Sequence, residues 1–457
     1  MHTQNKILQQ PISLPDYRGL QWLDARLPTE PRNWIEGNKR CIRQRYKNSA
    51  QARQSIHALL EQYQWQWPKR PIVFISDLHA DADAFFASLI ASGGIKKTGL
   101  KDHQFKLTPR GKAVLFILGG DFFDKGPSNL RLLRAVRLLI KTGARVRLLA
   151  GNHDVRVLFG MRSAGLADDP YNGHFFIRMG AKAVPLLLEI RDHYLADKHA
   201  LDDIPSNKAC KKHLYPSKQW WQQFPKHAVA QMPQAMIDKE LSKIKEKEVS
   251  FEQACAAAGL SLREAYAAAK QWQAMFLSPD GEFYWFYKRM RLAYRKGAFL
   301  FVHAGIDDHI AGMLHTNDAN GLNGLFKQQL QGSAFEFYYG SVANTIRTKY
   351  RCVDKPLSRK GVAYAHQAGI HAIVHGHKNL HHGQRISVRN SLLNFECDVT
   401  LDIGSRSKEG LTGRGAGATM IDPDGYILGV SSDYDYIKVF DAREILTINK
   451  GNHSHAA

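Results

Sequence analysis

The sequence predicts an α/β fold carrying a large, mostly helical insertion and preceded by an N-terminal helical arm. Three observations predict it. Short apolar runs rich in Val, Ile, Leu and Phe recur along the chain: IVFIS (72–76), VLFIL (114–118), RVRLLA (145–150), FLFV (299–302) and AIV (372–374). Runs of that length suit strands buried on both faces. Between the second and third lies SNLRLLRAVRLLIKTG (128–143), with Ser128 as a cap candidate, leucines at helical spacing and a stop at Gly143. Strand, helix and strand at that distance form a crossover unit. From Val155 to Lys296 the strand signal fades, and PLLLEIRDHYL, EQACAAAGLSLREAYAAAKQWQAMF and YWFYKRMRLAYRKG all read as helical.

In chain order, residues 1–68 carry no strand-like run. The polar, basic stretch 38–67, with apolar Ile56, Leu59 and Leu60, reads as a helix ending at Pro68, in a tryptophan-bearing packing arm. Residues 69–159 form the first half of the core. Residues 160–295 are the helical insertion, because a structureless loop of that length would be exceptional. The second half, 296–440, includes VTLDIG (399–404) as a strand and ATMIDPDGYILGV as a hairpin about Asp424 and Gly425. Residues 441–457, ending GNHSHAA, read as a frayed tail.

Of 457 residues, 44% are hydrophobic and 23% charged, enough to bury the core of two average domains or one large one. No run of eighteen apolar residues occurs, which argues against a membrane span. The N-terminus lacks the parts of a secretory signal. Five cysteines, far apart and odd in number, argue against a disulfide framework or a CxxC metal site. Together these place the chain in the cytoplasm. The net charge of +21 favours anionic partners, whether nucleic acid, nucleotide or phosphoprotein, although a solvated basic surface with no partner would look the same.

Metal-capable residues end each strand-like run: Asp77-Leu78-His79, then Gly119-Gly120-Asp121-Phe122-Phe123-Asp124-Lys125-Gly126, Gly151-Asn152-His153-Asp154, His303-Ala304-Gly305 and His375-Gly376-His377. Residues two apart in a strand point the same way, so Asp77 and His79 can reach one cation, as can His375 and His377. Ends of parallel strands line one edge of a sheet, so the five clusters should converge. Asp, His and Asn donors with no thiolate suit Mn, Fe or Zn. Taken singly, each cluster has a bland explanation as a turn or a buried core histidine, and His381 and His382 are given no role.

The ordered series DLH … GGDFFDKG … GNHD … VHAG … HGH resembles the calcineurin-like metallophosphoesterases, whose motifs are D-x-H, G-D-x-x-D, G-N-H-D/E, a lone His and a closing G-H or H-x-H. The wording GGDFFDKGP, VRLLAGNHD and LFVHAGI is most similar to the phosphoprotein phosphatases and the bacterial diadenosine tetraphosphate hydrolases. The likeness covers about 70–160 and 296–430. It implies a four-layer α/β/β/α sandwich and two divalent metal ions. Carried over by position, Asp77, His79 and His377 resemble the ligands of one ion, Asn152, His303 and His375 those of the other, and Asp121 the carboxylate that bridges them. His153 matches the histidine beside the leaving group and Asp124 the acid that holds it. A carboxylate partner would fix the His153 tautomer and raise its pKa. Lys125 stands where the family has a phosphate-gripping arginine, and SRKGVAYAH (358–366) places Lys360, with Arg359 adjacent, where a second one falls. Asn152 would also touch substrate.

The implied reaction is hydrolysis of a phosphomonoester, on a protein or a small metabolite, by a hydroxide held between the two ions, with His153 as general acid. One alternative is a hydrolase of dinucleoside polyphosphates or of nucleic-acid diesters, which the basic charge favours. Another is a nucleic-acid-binding protein on an inactive phosphatase core, with KRMRLAYRK (288–296) as its contact.

Overall fold

The computed structural model describes residues 11–36, 41–42 and 48–446. Its strands in chain order are β1 (Pro31–Asn33), β2 (Ile72–Ile75), β3 (Ile95–Lys97), β4 (Phe105–Leu107), β5 (Leu115–Leu118), β6 (Arg145–Leu149), β7 (Met290–Arg291) and β8 (Ala293–Lys296). They continue as β9 (Phe299–Val302), β10 (Ala372–His375), β11 (Arg385–Arg389), β12 (Leu392–Glu396), β13 (Gly417–Ile421), β14 (Tyr426–Ser431) and β15 (Ile437–Asp441). Two mixed sheets result, one in the order β1-β15-β14-β13-β2-β5-β6-β7 and the other β11-β12-β10-β9-β8. A small hairpin pairs β3 with β4.

The period-two alternation of the strands assigns each side chain to one of two cores. Ile72, Phe74, Leu115, Ile117, Leu149, Phe299, Phe301, Ala372, Val374, Leu393 and Phe395 share the core between the sheets. Phe74 and Phe301, one from each sheet, have ring centroids 5.9 Å apart. The alternate set, including Val73, Ile75, Phe116, Leu118, Leu300 and Val302, packs with the helices. This is why the runs read as apolar throughout. The crossover unit forms as its sequence specifies: β5 and β6 pair in parallel, joined by the helix Asn129–Lys141, whose cap Ser128 Oγ accepts from Arg131 N at 3.1 Å.

The arm inserts Trp34, Ile35, Ala52, Ile56 and Leu60 into the inter-sheet core. Its helix is shorter than the reading of 38–67 and runs Ser49–Gln62, capped by Asn48. The chain is extended after Tyr63, so Trp65 and Trp67 lie against Phe299 at 5.6 and 5.2 Å between centroids. Most of 38–47 falls outside the described residues. The arm does carry a strand: β1 lies parallel to β15 at the sheet edge. Pro-Arg-Asn has no apolar pattern, so the partner's free edge makes this strand rather than its own propensity.

Helices fill the chain between β6 and β7, among them Val184–Tyr194, Gln234–Ala257 and Leu262–Leu277. The stretch YWFYKRMRLAYRKG is helical only over Tyr284–Arg289 and then supplies β7 and β8, so its basic residues do not share one helix face. VTLDIG is not a strand either: Asp402 Oδ1 accepts from Ser405 N at 2.7 Å and starts the helix Ile403–Lys408. The Asp-Gly hairpin holds, with Ile421 opposite Ile427 and Gly425 at φ +91°. The expected tail is an ordered strand end at Asp441; residues 447–457 lie outside the described residues. Among the described residues no helix is long and apolar enough to cross a membrane.

Candidate dimetal centre

The five clusters converge, but from two sheets rather than one. β2, β5 and β6 are parallel neighbours in the larger sheet, β9 and β10 in the smaller, and the loops after all five meet at one end of the sandwich. Nor do Asp77 and His79 share a strand face. β2 ends at Ile75, and Asp77, His79 and Ala80 follow in left-handed backbone, at φ 58°, 40° and 56°. Asp121 (57°), Asp124 (75°), Lys125 (72°) and His377 (68°) do the same. Non-glycine residues in that region are strained, and such strain concentrates where side chains must be aimed. The first two loops zip together: Asp77 N, His79 N and Ala80 N donate to the carbonyls of Gly120, Asp121 and Phe122 at 3.1, 2.8 and 2.8 Å.

Asp121 is central. Its Oδ1 accepts from His153 N at 2.8 Å. Its Oδ2 lies 3.4 Å from His303 Nε2, 3.7 Å from His79 Nε2 and 3.8 Å from His153 Nε2. Asp154 clamps this loop, its carboxylate accepting from Gly151 N, Asp121 N and Phe122 N at 2.8, 2.9 and 2.7 Å. A Cβ on Gly151 would come within 2.2 Å of Asp121 N and Oδ1, so only glycine lets the third loop approach. Asp77 Oδ2 accepts from Ser76 Oγ at 2.6 Å and from His377 N at 2.9 Å, tying the first loop to the fifth.

Each imidazole is anchored to a backbone carbonyl by one ring nitrogen. Nδ1 of His79, His303 and His375 faces the carbonyl of Phe123, Gly119 and Gly376 at 3.2, 2.8 and 3.0 Å. His377 reverses this, with Nε2 3.2 Å from the Arg347 carbonyl. Asn152 Oδ1 is 3.3 Å from His303 Nε2. Two triads of donors gather within 4.8 Å, His79-Asp121-His153 and Asp121-His303-His377. His375 belongs to neither triad, and its buried Nε2 has no hydrogen-bond partner among the described residues.

Electrostatics point the same way. Burial alone would lower the His303 pKa, yet Asp121 and Asp77 push it up to about 10. Burial would raise the Asp121 carboxyl, but His303 and His153 hold it well below the usual range. Lys125 Nζ contacts His79 Nε2 at 2.7 Å. The buried carboxylates around Asp121 thus draw positive charge toward the centre. Divalent cations fit this set: imidazoles held by backbone carbonyls, a shared carboxylate oxygen and an unpartnered ring nitrogen are the ordinary surroundings of a metal.

His153 Nδ1 lies 3.1 Å from Asp124 Oδ2, as the motifs imply. Its pKa, however, is not raised. Burial lowers it to about 4, with Arg156 adding to the effect and the Asp121 and Asp124 carboxylates opposing it. Arg156 is the unforeseen partner, its Nη2 2.9 Å from Asp124 Oδ2 and 2.8 Å from His153 Nδ1. Lys182 Nζ also approaches Asp124, at 3.4 Å. A cavity of about 290 Å³ opens beside Asn152 and Arg156, lined further by Arg178, Lys182, Lys243, Lys247 and Arg347. No motif marks these residues, because helices packed by tertiary contact bring them in. Buried Asp398, whose carboxyl burial and Asp77 push well up, was also missed, since it lies in the loop after β12, a strand that carries no motif.

Arg359 and Lys360 are not brought to this site by any described contact. Both are exposed at the start of the helix Arg359–Gln367, where Lys360 Nζ sits 5.8 Å over the Tyr364 ring. Ser358 N bonds Asp308 Oδ1 at 2.7 Å and sets that helix's position. His381 pairs with Glu409 at 3.3 Å, outside the donor triads.

The family model described as calcineurin-like phosphoesterase matches residues 70–247, reaching well into the helical stretch after 160. No curated protein matches the chain. Among solved structures the chain is similar to a point mutant of a cold-active protein tyrosine phosphatase, at 13% identity over 81% of this chain and 80% of that one, TM-score 0.41. It is also similar to the cold-active protein-tyrosine phosphatase of a psychrophile Shewanella sp. (13% identity, 81% and 80% covered, TM-score 0.40). A third is a protein serine/threonine phosphatase from Saccharomyces cerevisiae with similarity to human phosphatase PP5 (10% identity, 85% and 87% covered, TM-score 0.35). Likenesses this distant carry no argument about the reaction. Residues 70–247 therefore carry the calcineurin-like phosphoesterase match, which supports a phosphoesterase hydrolase.

Proposed function

We propose that this chain hydrolyses phosphomonoesters, with two ions of the Mn, Fe or Zn kind held around Asp121. Asp77, His79 and His377 would complete one site, and Asn152, His303 and His375 the other. Such a pair lowers the pKa of water and stabilises charge on the attacking and leaving oxygens. The observation that carries the reading is Asp121 Oδ2 lying 3.7 Å from His79 Nε2 and 3.4 Å from His303 Nε2, one donor of each proposed site. Donors bound to a common ion at about 2.1 Å lie roughly that far from one another.

The chain's own groups then position and protonate the substrate. Asn152 and Lys125 face the phosphoryl group at the site's rim. His153 turns Nε2 toward Asp121 and keeps Nδ1 against Asp124. In the free chain it is neutral, held so by burial first. A doubly negative phosphoryl group arriving beside it favours the imidazolium, which then delivers a proton from Nε2 to the departing oxygen.

Turnover of para-nitrophenyl phosphate and of its bis ester, each with and without Mn, tests this. The monoester should be the better substrate and should need the metal. Dominant activity on the bis ester would replace the reading with a diesterase.

A further inference from the structure

The cavity beside Asn152 has a composition that hydrolysis of a simple monoester does not require. Six cationic side chains line it and no carboxylate does. They come from separate elements: Arg156 from the helix Asn152–Ser163, Arg178 and Lys182 from the turns that follow, Lys243 and Lys247 from Gln234–Ala257, and Arg347 from beyond Val342–Ile346.

Some of this charge is already spent. Arg178 is buried and paired with Glu240, its Nη2 3.1 Å from Oε2. Arg156 and Lys182 share Asp124. Arg347 donates to the Tyr338 and Gly340 carbonyls and to Asn344 Oδ1 at 2.7, 3.0 and 3.0 Å, so its charge faces neutral acceptors. Lys243 and Lys247 are four residues apart on one helix face and form no ion pair with a carboxylate among the described residues. A Cβ on Gly180 would lie 2.5 Å from Lys247 Cδ, so the bare glycine, at φ +59°, gives that lysine its path. Like charges this close repel, and burial followed by the neighbouring cations depresses both lysines. Lys243 is exposed and Lys247 half-buried, and Glu240 and Glu246 offset them only in part, so the arrangement holds excess positive charge along the hollow's open side, where an arriving anion relieves the repulsion.

We infer that this cavity binds a second phosphate group of the substrate, carried on the same small molecule as the scissile phosphomonoester. The inference rests on the proposed hydrolase reading and narrows its substrate class to multiply phosphorylated small molecules. The cavity is continuous with the reaction centre. Asn152 belongs to both, the Arg347 backbone carbonyl holds His377, and Arg156 holds the Asp124–His153 pair. Its volume of about 290 Å³ is near the lower bound for a small-ligand pocket and suits a phosphate with a small organic body. Val155, Met179, Phe337 and Ile346 supply its apolar wall.

The test uses the metal-loaded full chain and the double variant Lys243→Ala/Lys247→Ala, which touches none of the donors around Asp121. Orthophosphate and tripolyphosphate are compared as competitive inhibitors of para-nitrophenyl phosphate turnover. Tripolyphosphate, long enough to reach from the centre into the cavity, should inhibit the natural chain at least about tenfold more tightly than orthophosphate, as charge-assisted contacts allow. The variant should lose that advantage while its KM for para-nitrophenyl phosphate and its orthophosphate inhibition hold. An advantage equal in both chains is metal chelation and overturns the inference. Calorimetry with orthophosphate separates a tethered second phosphate from a free one: one site per chain supports the tethered form, while two sites, falling to one in the variant, make the cavity an effector site and overturn it. If para-nitrophenyl phosphate is not turned over at all, the hydrolase reading fails by itself. Direct calorimetry of tripolyphosphate on both chains then decides the cavity, and equal affinity overturns it.

Discussion

Asp121 Oδ2 has three imidazole nitrogens within 3.8 Å, with the His79 and His303 rings set by backbone carbonyls and the His153 ring by Asp124 and Arg156. Replacing it tests the centre at its most shared point. Asp121→Asn keeps the shape and the Oδ1 acceptor but removes the charge, so it should abolish turnover and lower bound metal measured by plasma mass spectrometry. His153→Asn should behave differently, with turnover falling by about 10²–10⁴ and metal content unchanged. A His153→Asn chain retaining activity on a poor leaving group would remove that residue from the chemistry. The five loops that carry the seven candidate donors could be named in sequence because their motifs are short and ordered. Arg156 could not, since its role depends on one turn of helix aiming it back at Asp124.

At the scale of elements, the smaller sheet carries its own electrostatic fastening. Glu396 on β12 stands opposite His375 on β10, fully buried, with Lys378 at 3.2 Å, Arg385 at 2.6 Å and Arg389 at 3.2 Å. Burial would raise its carboxyl, but these cations, Lys378 foremost, hold it well below the usual range. A depressed carboxylate contributes stability above its unfolded pKa, near 4.3, and loses it as pH falls through its folded value. Glu396→Ala should therefore cost about 3 kcal/mol near neutral pH, read from urea denaturation, and flatten the loss of stability on the acid side. The positions of β2, β5, β9 and β10, apolar and buried throughout, were legible, and so was β6 though its first three residues are more open; β12 and β15, equally buried, were not, because Asn394, Glu396, Lys438 and Asp441 interrupt their apolar pattern. β1 and VTLDIG were misread because edge pairing and an Asp cap decided them, not hydrophobic pattern.

For the molecule as a whole, two sheets place five loops at one end of the sandwich and leave the helices after β6 to wall the approach. Sequence order could name the loops but not their division between sheets, since nothing in FLFV says which neighbour it pairs with. Collecting Asp77, Asp121, Asp154 and Asp398 in one buried region strains the ion-free chain. Metal should thus stabilise it, by about 2.7 kcal/mol per ion at a hundredfold excess over Kd, and a chelator should lower Tm reversibly. An unchanged Tm would mean that no ion binds the folded state. The most direct measurement is anomalous diffraction from Mn-grown crystals. Two peaks roughly 3.5–4 Å apart should flank Asp121 Oδ2, one beside Asp77 and His79, the other beside Asn152, His303 and His375. A map with no peak there, or with a single peak remote from Asp121, would contradict the account.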